Sequence, residues 1–119
     1  MLEVHESKDD IKIIMEYKSG GNLRDYMNNH KNCLDTDTVK HLAIQICLGL
    51  SVIHSKKIIH RDIKLENILV DNCSRLNGKV PDIVISDFGF AIRNTKEDIL
   101  GRKRCGTPGY APPEIFKSR

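Results

Sequence analysis

At 119 residues the chain is about the size of one small domain, and 39% hydrophobic with 29% charged residues can build a core, which argues against wholesale disorder. A net charge of +3, no tryptophan and only three Phe and three Tyr argue against the basic, aromatic platform of a nucleic-acid binder. The four cysteines (Cys33, Cys47, Cys73 and Cys105) are irregularly spaced and form no Cys-x-x-Cys, so the reading is free, reduced thiols in a cytoplasmic or nuclear protein rather than a zinc or dithiol site.

Residues 2–7 and 11–17 read as two strands, the second a β-branched run, joined by a hairpin turn at Ser7-Lys8-Asp9-Asp10. The N-terminal residues show no basic segment followed by an apolar run, so no signal peptide is expected. Lys18-Ser19-Gly20-Gly21 then breaks the strand. The paired glycines serve either as a plain connector or as a place where the backbone approaches a ligand or another segment. Asn22 is positioned to cap a short helix over 23–29.

Asp35 is the N-cap candidate for the longest element, 36–55, with Asp37 in its first turn where negative charge suits the helix dipole. Val39, Leu42, Ala43, Ile46, Leu50 and Ile53 follow helical spacing, while Ile44, Cys47, Leu48 and Val52 add apolar groups on the other sides. A helix apolar nearly all round expects burial within a larger body. Its apolar run from Leu42 to Ile53 is interrupted by Gln45, Gly49 and Ser51 and is too short to span a membrane, so no membrane partner is expected.

Next comes His60-Arg61-Asp62-Ile63-Lys64-Leu65-Glu66-Asn67, which packs two carboxylates, a lysine, an arginine and an amide between the apolar segments Ile58-Ile59 and Ile68-Leu69-Val70. A polar loop between short strands can hold reactive groups rigidly and still expose them, although a charged surface turn would look the same. A polar loop over 71–81 follows, with a turn signal at Asn77-Gly78 and a glycosylation sequon at Asn72-Cys73-Ser74 that reads as chance without a secretory signal. The strand 83–85 leads into Ser86-Asp87-Phe88-Gly89. Residues 90–105 read as an exposed basic loop, 106–110 as turn, and Pro112-Pro113-Glu114 as the opening of a helix.

In this order the motifs resemble the eukaryotic protein kinase family. His60 to Asn67 is similar to its catalytic loop and Asp87-Phe88-Gly89 to its metal-binding triplet. Gly106-Thr107-Pro108-Gly109-Tyr110 with Pro112-Pro113-Glu114 is similar to the end of its activation segment. The resemblance implies an α+β fold, a partial protein-kinase-like fold. It would comprise the last strands of the small lobe (1–17), the hinge (18–22) and the first half of a mainly helical large lobe (23–119).

The resemblance also implies ATP and Mg²⁺ as cofactors and a protein with a Ser/Thr acceptor as partner. Phosphoryl transfer needs an aligned hydroxyl and cations where negative charge spreads. Asp62 would orient or accept the hydroxyl proton, and Lys64 would place a point charge on the γ-phosphate. Asn67 and Asp87 would be hard oxygen ligands for magnesium. Thr107 would bond Asp62 and Lys64; together with Lys64 two residues after Asp62, it is the serine/threonine pattern. His60 is expected as a packed core residue against Phe88, and Glu66 as structural. The carbonyl of Glu16 and the N–H of Lys18 would hold adenine, Asn22 would lie near the ribose and Met15 would guard the back of the pocket. Leu69 would form the floor, with Leu23, Ile68 and Val70 lining or supporting that layer; all four are equally readable as core.

The chain departs from the family pattern at several points. Leu65 stands where proline is usual and Pro112 where alanine is, and the 71–81 loop is long. Arg61 in this family often grips a phosphate, yet no Ser or Thr lies between Thr95 and Thr107, so no switching by phosphorylation there is expected. The chain has no Gly-x-Gly-x-x-Gly loop and no Val-Ala-x-Lys strand. Two readings result: the central segment of an active serine/threonine kinase, or a non-catalytic fragment or scaffold. The isolated 119-residue chain is expected to be inactive, and its helix over 36–55 to lose much of its cover. The sequence carries no signal for an oligomeric state.

Overall fold

A computed structural model of the chain describes residues 2–31, 33–71, 80–95 and 104–116. Strands β1 (Glu3–Glu6) and β2 (Ile11–Ile14) form an antiparallel hairpin in which Glu3 faces Ile14 and Glu6 faces Ile11. Ser7 builds the turn, its Oγ accepting from the N–H groups of Asp9 and Asp10 at 3.3 and 3.0 Å. The expected second strand, 11–17, stops at Ile14, because a strand needs a partner and the ladder ends where Leu2 N–H reaches the Ile14 carbonyl at 2.8 Å. Both strands are exposed along their whole length.

The glycine pair after this hairpin is more than a connector. Gly20 N–H donates to the Val70 carbonyl at 2.9 Å, and Val70 N–H donates to the Gly21 carbonyl at 2.8 Å. Gly21 sits at φ 70°, which a residue with a Cβ adopts only with strain. Helix α1 (Leu23–Asn29) starts at once, with the Asn22 side chain accepting from Asp25 N–H. Helix α2 (Thr36–Ser55) is capped by Asp35, whose carboxylate accepts from the N–H groups of Asp37 and Thr38 and from the Thr38 hydroxyl. These three donors, the Thr38 hydroxyl first, hold the Asp35 carboxyl below its usual range.

Beyond α2 come β3 (Ile58–Ile59), a 3₁₀ turn (Leu65–Asn67), β4 (Ile68–Asp71), β5 (Asp82–Ile85), β6 (Ile92–Arg93) and α3 (Pro113–Phe116). Strand β4 pairs antiparallel with β5, Ile68 facing Ile85 and Asp71 facing Asp82. Strand β6 lies within the stretch expected as open loop; Ile92 and Arg93 instead pair with Ile59 and Ile58. Two residues suffice because β3 offers an edge, and Asn94 N–H extends the ladder to the Lys57 carbonyl at 2.7 Å. Residues 72–79, 96–103 and 117–119, which include the Asn77-Gly78 turn, the sequon and part of the basic loop, lie outside the described residues.

Leu23, Leu42, Ile68 and Val70 form the core, with Tyr26, Met27, Leu34, Ile46, Leu65, Val80 and Ile83 packed against it. Burying such a side chain fully contributes roughly 1.5–3 kcal/mol, so this small cluster anchors α1, α2 and β4 to one another. Two of the interruptions in the apolar run of α2, Gln45 and Gly49, are its docking points. Gln45 donates to the Pro81 carbonyl at 3.1 Å and accepts from Ile83 N–H at 3.0 Å, and a Cβ at Gly49 would lie 3.1 Å from Ile85 Cδ1. The all-round burial expected of this helix from its apolar residues is not observed: Val39, Ile44, Leu48 and Val52 are 50–63% exposed. The weaker cover expected of the isolated chain is. Cys33, Cys47 and Cys105 are free thiols, and among the described residues no helix is long and apolar enough to cross a membrane.

Candidate active site

Strand β3 delivers the chain into the polar loop at His60, and β4 takes it out after Asn67, so both ends of the loop are fixed by backbone pairing. His60 is 2% exposed. Its Nε2 lies 2.8 Å from the Ser86 carbonyl, while Nδ1 accepts from Asp62 N–H at 3.3 Å, which assigns the neutral tautomer protonated on Nε2. The ring packs against Phe88 with centroids 4.9 Å apart. His60 is therefore the packed core histidine expected from the sequence. Arg61, next in the chain, takes φ 71° and donates from Nε to the Phe90 carbonyl at 2.6 Å.

Asp62 is 3% exposed, and its carboxylate accepts four hydrogen bonds. One oxygen takes the N–H and hydroxyl of Thr107 at 3.0 and 2.7 Å. The other takes Asn67 Nδ2 at 3.0 Å and Lys64 Nζ at 2.8 Å. Lys64 also donates to the Thr107 hydroxyl at 2.8 Å, closing the ring of contacts. Burial alone would push the Asp62 carboxyl up, but the Lys64, Thr107 and Asn67 donors outweigh it and hold it below the usual carboxylate range. Lys64 is raised in turn, chiefly by its bond to Asp62. The pair is thus a carboxylate and an ammonium ion.

Asn67 is 6% exposed and donates from the same amide nitrogen to the Asp62 carbonyl at 2.9 Å. With the nitrogen donating twice to Asp62, the amide oxygen is the acceptor end of this side chain. Asp87 is exposed, at φ 58°, with one carboxylate oxygen accepting from Gly89 N–H at 3.1 Å. An amide oxygen and an exposed carboxylate are the hard donors that magnesium takes alongside water and phosphate, so these residues fit that ion. Among the described residues there is no group of three or more His, Cys, Asp or Glu that could hold a metal ion. Ser86 links the two halves: its N–H and hydroxyl reach the Asn67 carbonyl at 2.8 and 3.0 Å, and its own carbonyl faces His60. The sequence reading gave Ser86 no role; its place directly before Asp87 was the available signal.

Beyond the polar loop, the 18–22 segment and Leu69 come together, with Asn22 in a β-bridge to Leu69. Ile68 and Val70 turn into the core, whereas Leu69 lies on the opposite face of β4 and is half-buried. Leu23, Ile68 and Val70 are thus plain core. Leu69 alone of the four faces away from the core. Met15 is 67% exposed. The Asn22 amide is engaged at both ends by Asp25, its oxygen by the N–H at 2.9 Å and its nitrogen bonding the carboxylate at 2.7 Å. Lys18 does more than offer a backbone N–H. Its ammonium bridges Asp71 at 2.8 Å and Glu16 at 2.7 Å, and these bonds, Asp71 first, raise its pKa above the usual lysine range.

One cluster was not legible at all. Arg24 donates from Nε to Glu66 at 2.7 Å and from Nη2 to the Tyr110 hydroxyl, joining α1, the catalytic loop and the turn after Thr107. The backbone N–H of Glu66 and then Arg24 hold the Glu66 carboxyl below its usual range, while its Oε2 is buried without a partner among the described residues. Tyr110 lies far along the chain from Arg24, and no local pattern pairs them.

A strand hairpin, a backbone-docked hinge and a buried aspartate closed in by a loop lysine, an amide and a distant threonine define the class, a portion of a protein kinase catalytic domain. The family model described as the protein kinase domain matches residues 1–119, and the chain belongs to that family. It is 40% identical to the serine/threonine-protein kinase unc-51 of Caenorhabditis elegans over 121 residues, 99% of this chain and 14% of the relative. It is 42% identical to the human NUAK family SNF1-like kinase 1, covering all of this chain and 17% of the relative. The corresponding figures for the human serine/threonine-protein kinase ULK1 are 36%, all of this chain and 11%. The chain thus spans a small part of the length of these curated relatives.

Proposed function

We propose that the protein carrying these residues transfers the terminal phosphate of ATP to a serine or threonine hydroxyl of a protein substrate. The observation that carries this reading is the Asp62 carboxylate held ionised between Thr107, Lys64 and Asn67. All its acceptor positions are filled, so an incoming hydroxyl must displace a donor. Lys64 is the donor able to leave, because its flexible ammonium can exchange Asp62 for a phosphate oxygen. Asp62 then accepts the hydroxyl proton's hydrogen bond and aims the oxygen, while Thr107 and Asn67 keep the carboxylate from turning.

Asn67 and Asp87 are the proposed magnesium ligands; bound magnesium would neutralise charge on the phosphate oxygens. The Glu16 carbonyl and Lys18 N–H are proposed to hold adenine over Leu69, with Asn22, its amide shared with Asp25, on the ribose side. The pairing of Lys64 with Thr107 supports a serine or threonine acceptor, as do the names of unc-51 and ULK1. The test is phosphate transfer from labelled ATP to a basic protein by the protein at its native length. Wild-type transfer that falls about a hundredfold or more in Asp62→Asn and in Asp87→Ala is the expected result. Transfer unchanged in either variant overturns the assignment.

A further inference from the structure

The turn that carries Thr107 touches the catalytic loop in three places. Gly106 lies against the Arg61 carbonyl, where an added Cβ would come within 3.1 Å. Thr107 bonds Asp62 and Lys64. Tyr110, whose N–H returns to the Thr107 carbonyl at 3.1 Å, is reached through Arg24 from Glu66. The first two contacts belong to the loop's own chemistry. The third comes from a helix that contributes nothing else to the site.

Arg24 suits this task because the guanidinium is a rigid planar fork that holds a carboxylate and a phenol oxygen in a fixed mutual geometry, which a flexible ammonium does not impose. Its side chain and that of Glu66 are 43% and 39% exposed, so the link lies at the surface rather than in the core. Because Thr107 is bonded to Asp62, a polypeptide presenting a hydroxyl there must run beside the 106–111 turn, and the position of Tyr110 bears on that path.

We propose that Arg24 is a positioning residue for the protein substrate: by bridging Glu66 and Tyr110 it fixes the 106–111 turn as the ledge on which the acceptor segment lies. This rests on the kinase reading above. In the native-length protein, Arg24→Ala raises KM for a peptide substrate about tenfold, the scale of one lost charged hydrogen bond, with KM for ATP and kcat within about twofold. Tyr110→Phe, which removes only the hydroxyl, shifts KM the same way but less. The double variant is no worse than Arg24→Ala alone, because both break one link. Arg24→Lys recovers part of the loss.

Amide exchange read over residues 106–111 gives a measure that needs no activity, and it quickens in Arg24→Ala and in Tyr110→Phe. Equal rises in KM for peptide and ATP, additive single effects, or unchanged exchange overturn the proposal. Absence of phosphate transfer by the wild type would overturn the kinase reading instead, and exchange alone would then decide the bridge.

Discussion

Thr107 meets one oxygen of Asp62 twice, through its backbone N–H at 3.0 Å and its hydroxyl at 2.7 Å, while the same hydroxyl accepts from Lys64. Valine keeps the shape and the N–H but deletes the hydroxyl, leaving both ions short of a partner. A hydrogen bond to a charged group is worth about 1.5–3 kcal/mol. Thr107→Val is therefore expected to lower kcat by about tenfold or more, with Thr107→Ser close to wild type. Steady-state kinetics on the native-length protein checks this; a Val variant with unchanged kcat would show the hydroxyl to be a spectator.

The depressed pKa of Asp62 has a definite sign in acid. A carboxylate whose folded pKa lies below its unfolded value stabilises the fold above the unfolded value, and that contribution is lost as pH falls through the folded value. The ordinary aspartate value is 3.8, and Lys64 with Thr107 and Asn67 holds Asp62 below it. Urea unfolding of wild type and Asp62→Asn should thus differ by a constant amount from neutral pH down to the unfolded value. The gap should close only at lower pH. A gap already closing between pH 5 and 6 would show that burial, not the donors, dominates.

Much of this site was legible because its chemistry is written in short local runs. Asp62, Lys64 and Asn67 share one loop, and the interval to Asp87 is spanned by two paired strands, so sequence order alone brought them together. The caps Asn22 and Asp35 were equally local. What failed depended on partners elsewhere in the chain. The second strand ends at Ile14 because its described pairing with β1 ends at Glu3, and β6 forms because β3 has an edge to fill. Gln45 and Gly49 looked like defects in an apolar helix until β5 was seen against them. Arg24 and Tyr110 carry no mutual signal, since a long-range pair of polar side chains leaves no periodicity to read.

Lys18 supplies a prediction about the hinge. Asp71 and Asp82 face each other across β4 and β5, an unfavourable arrangement for like charges, and the Lys18 ammonium on Asp71 offsets it. Lys18→Met should lower the thermal unfolding midpoint by removing the ammonium from Asp71. Adding Asp71→Asn should restore part of that loss, because the carboxylate facing Asp82 is gone. Calorimetry of the two single variants and the double variant reads the coupling, and strictly additive shifts would mean that Lys18 does not act on Asp71.

Gly106 and Gly21 separate two reasons for a glycine. Both have positive φ, 111° and 70°. A Cβ at Gly21 would meet nothing within 4 Å, whereas one at Gly106 would come within 3.1 Å of the Arg61 carbonyl and 3.3 Å of Ala111 Cβ. Gly21→Ala should therefore cost only backbone strain, on the order of 1 kcal/mol, while Gly106→Ala should cost about 1–3 kcal/mol and push the next residue, Thr107, off Asp62. The first variant should keep kcat near wild type and the second should lose it well beyond its loss of stability. Denaturant unfolding alongside steady-state kinetics distinguishes them, and equal effects on both measures would mean that the contact with the Arg61 carbonyl does not hold the turn in register with the catalytic loop.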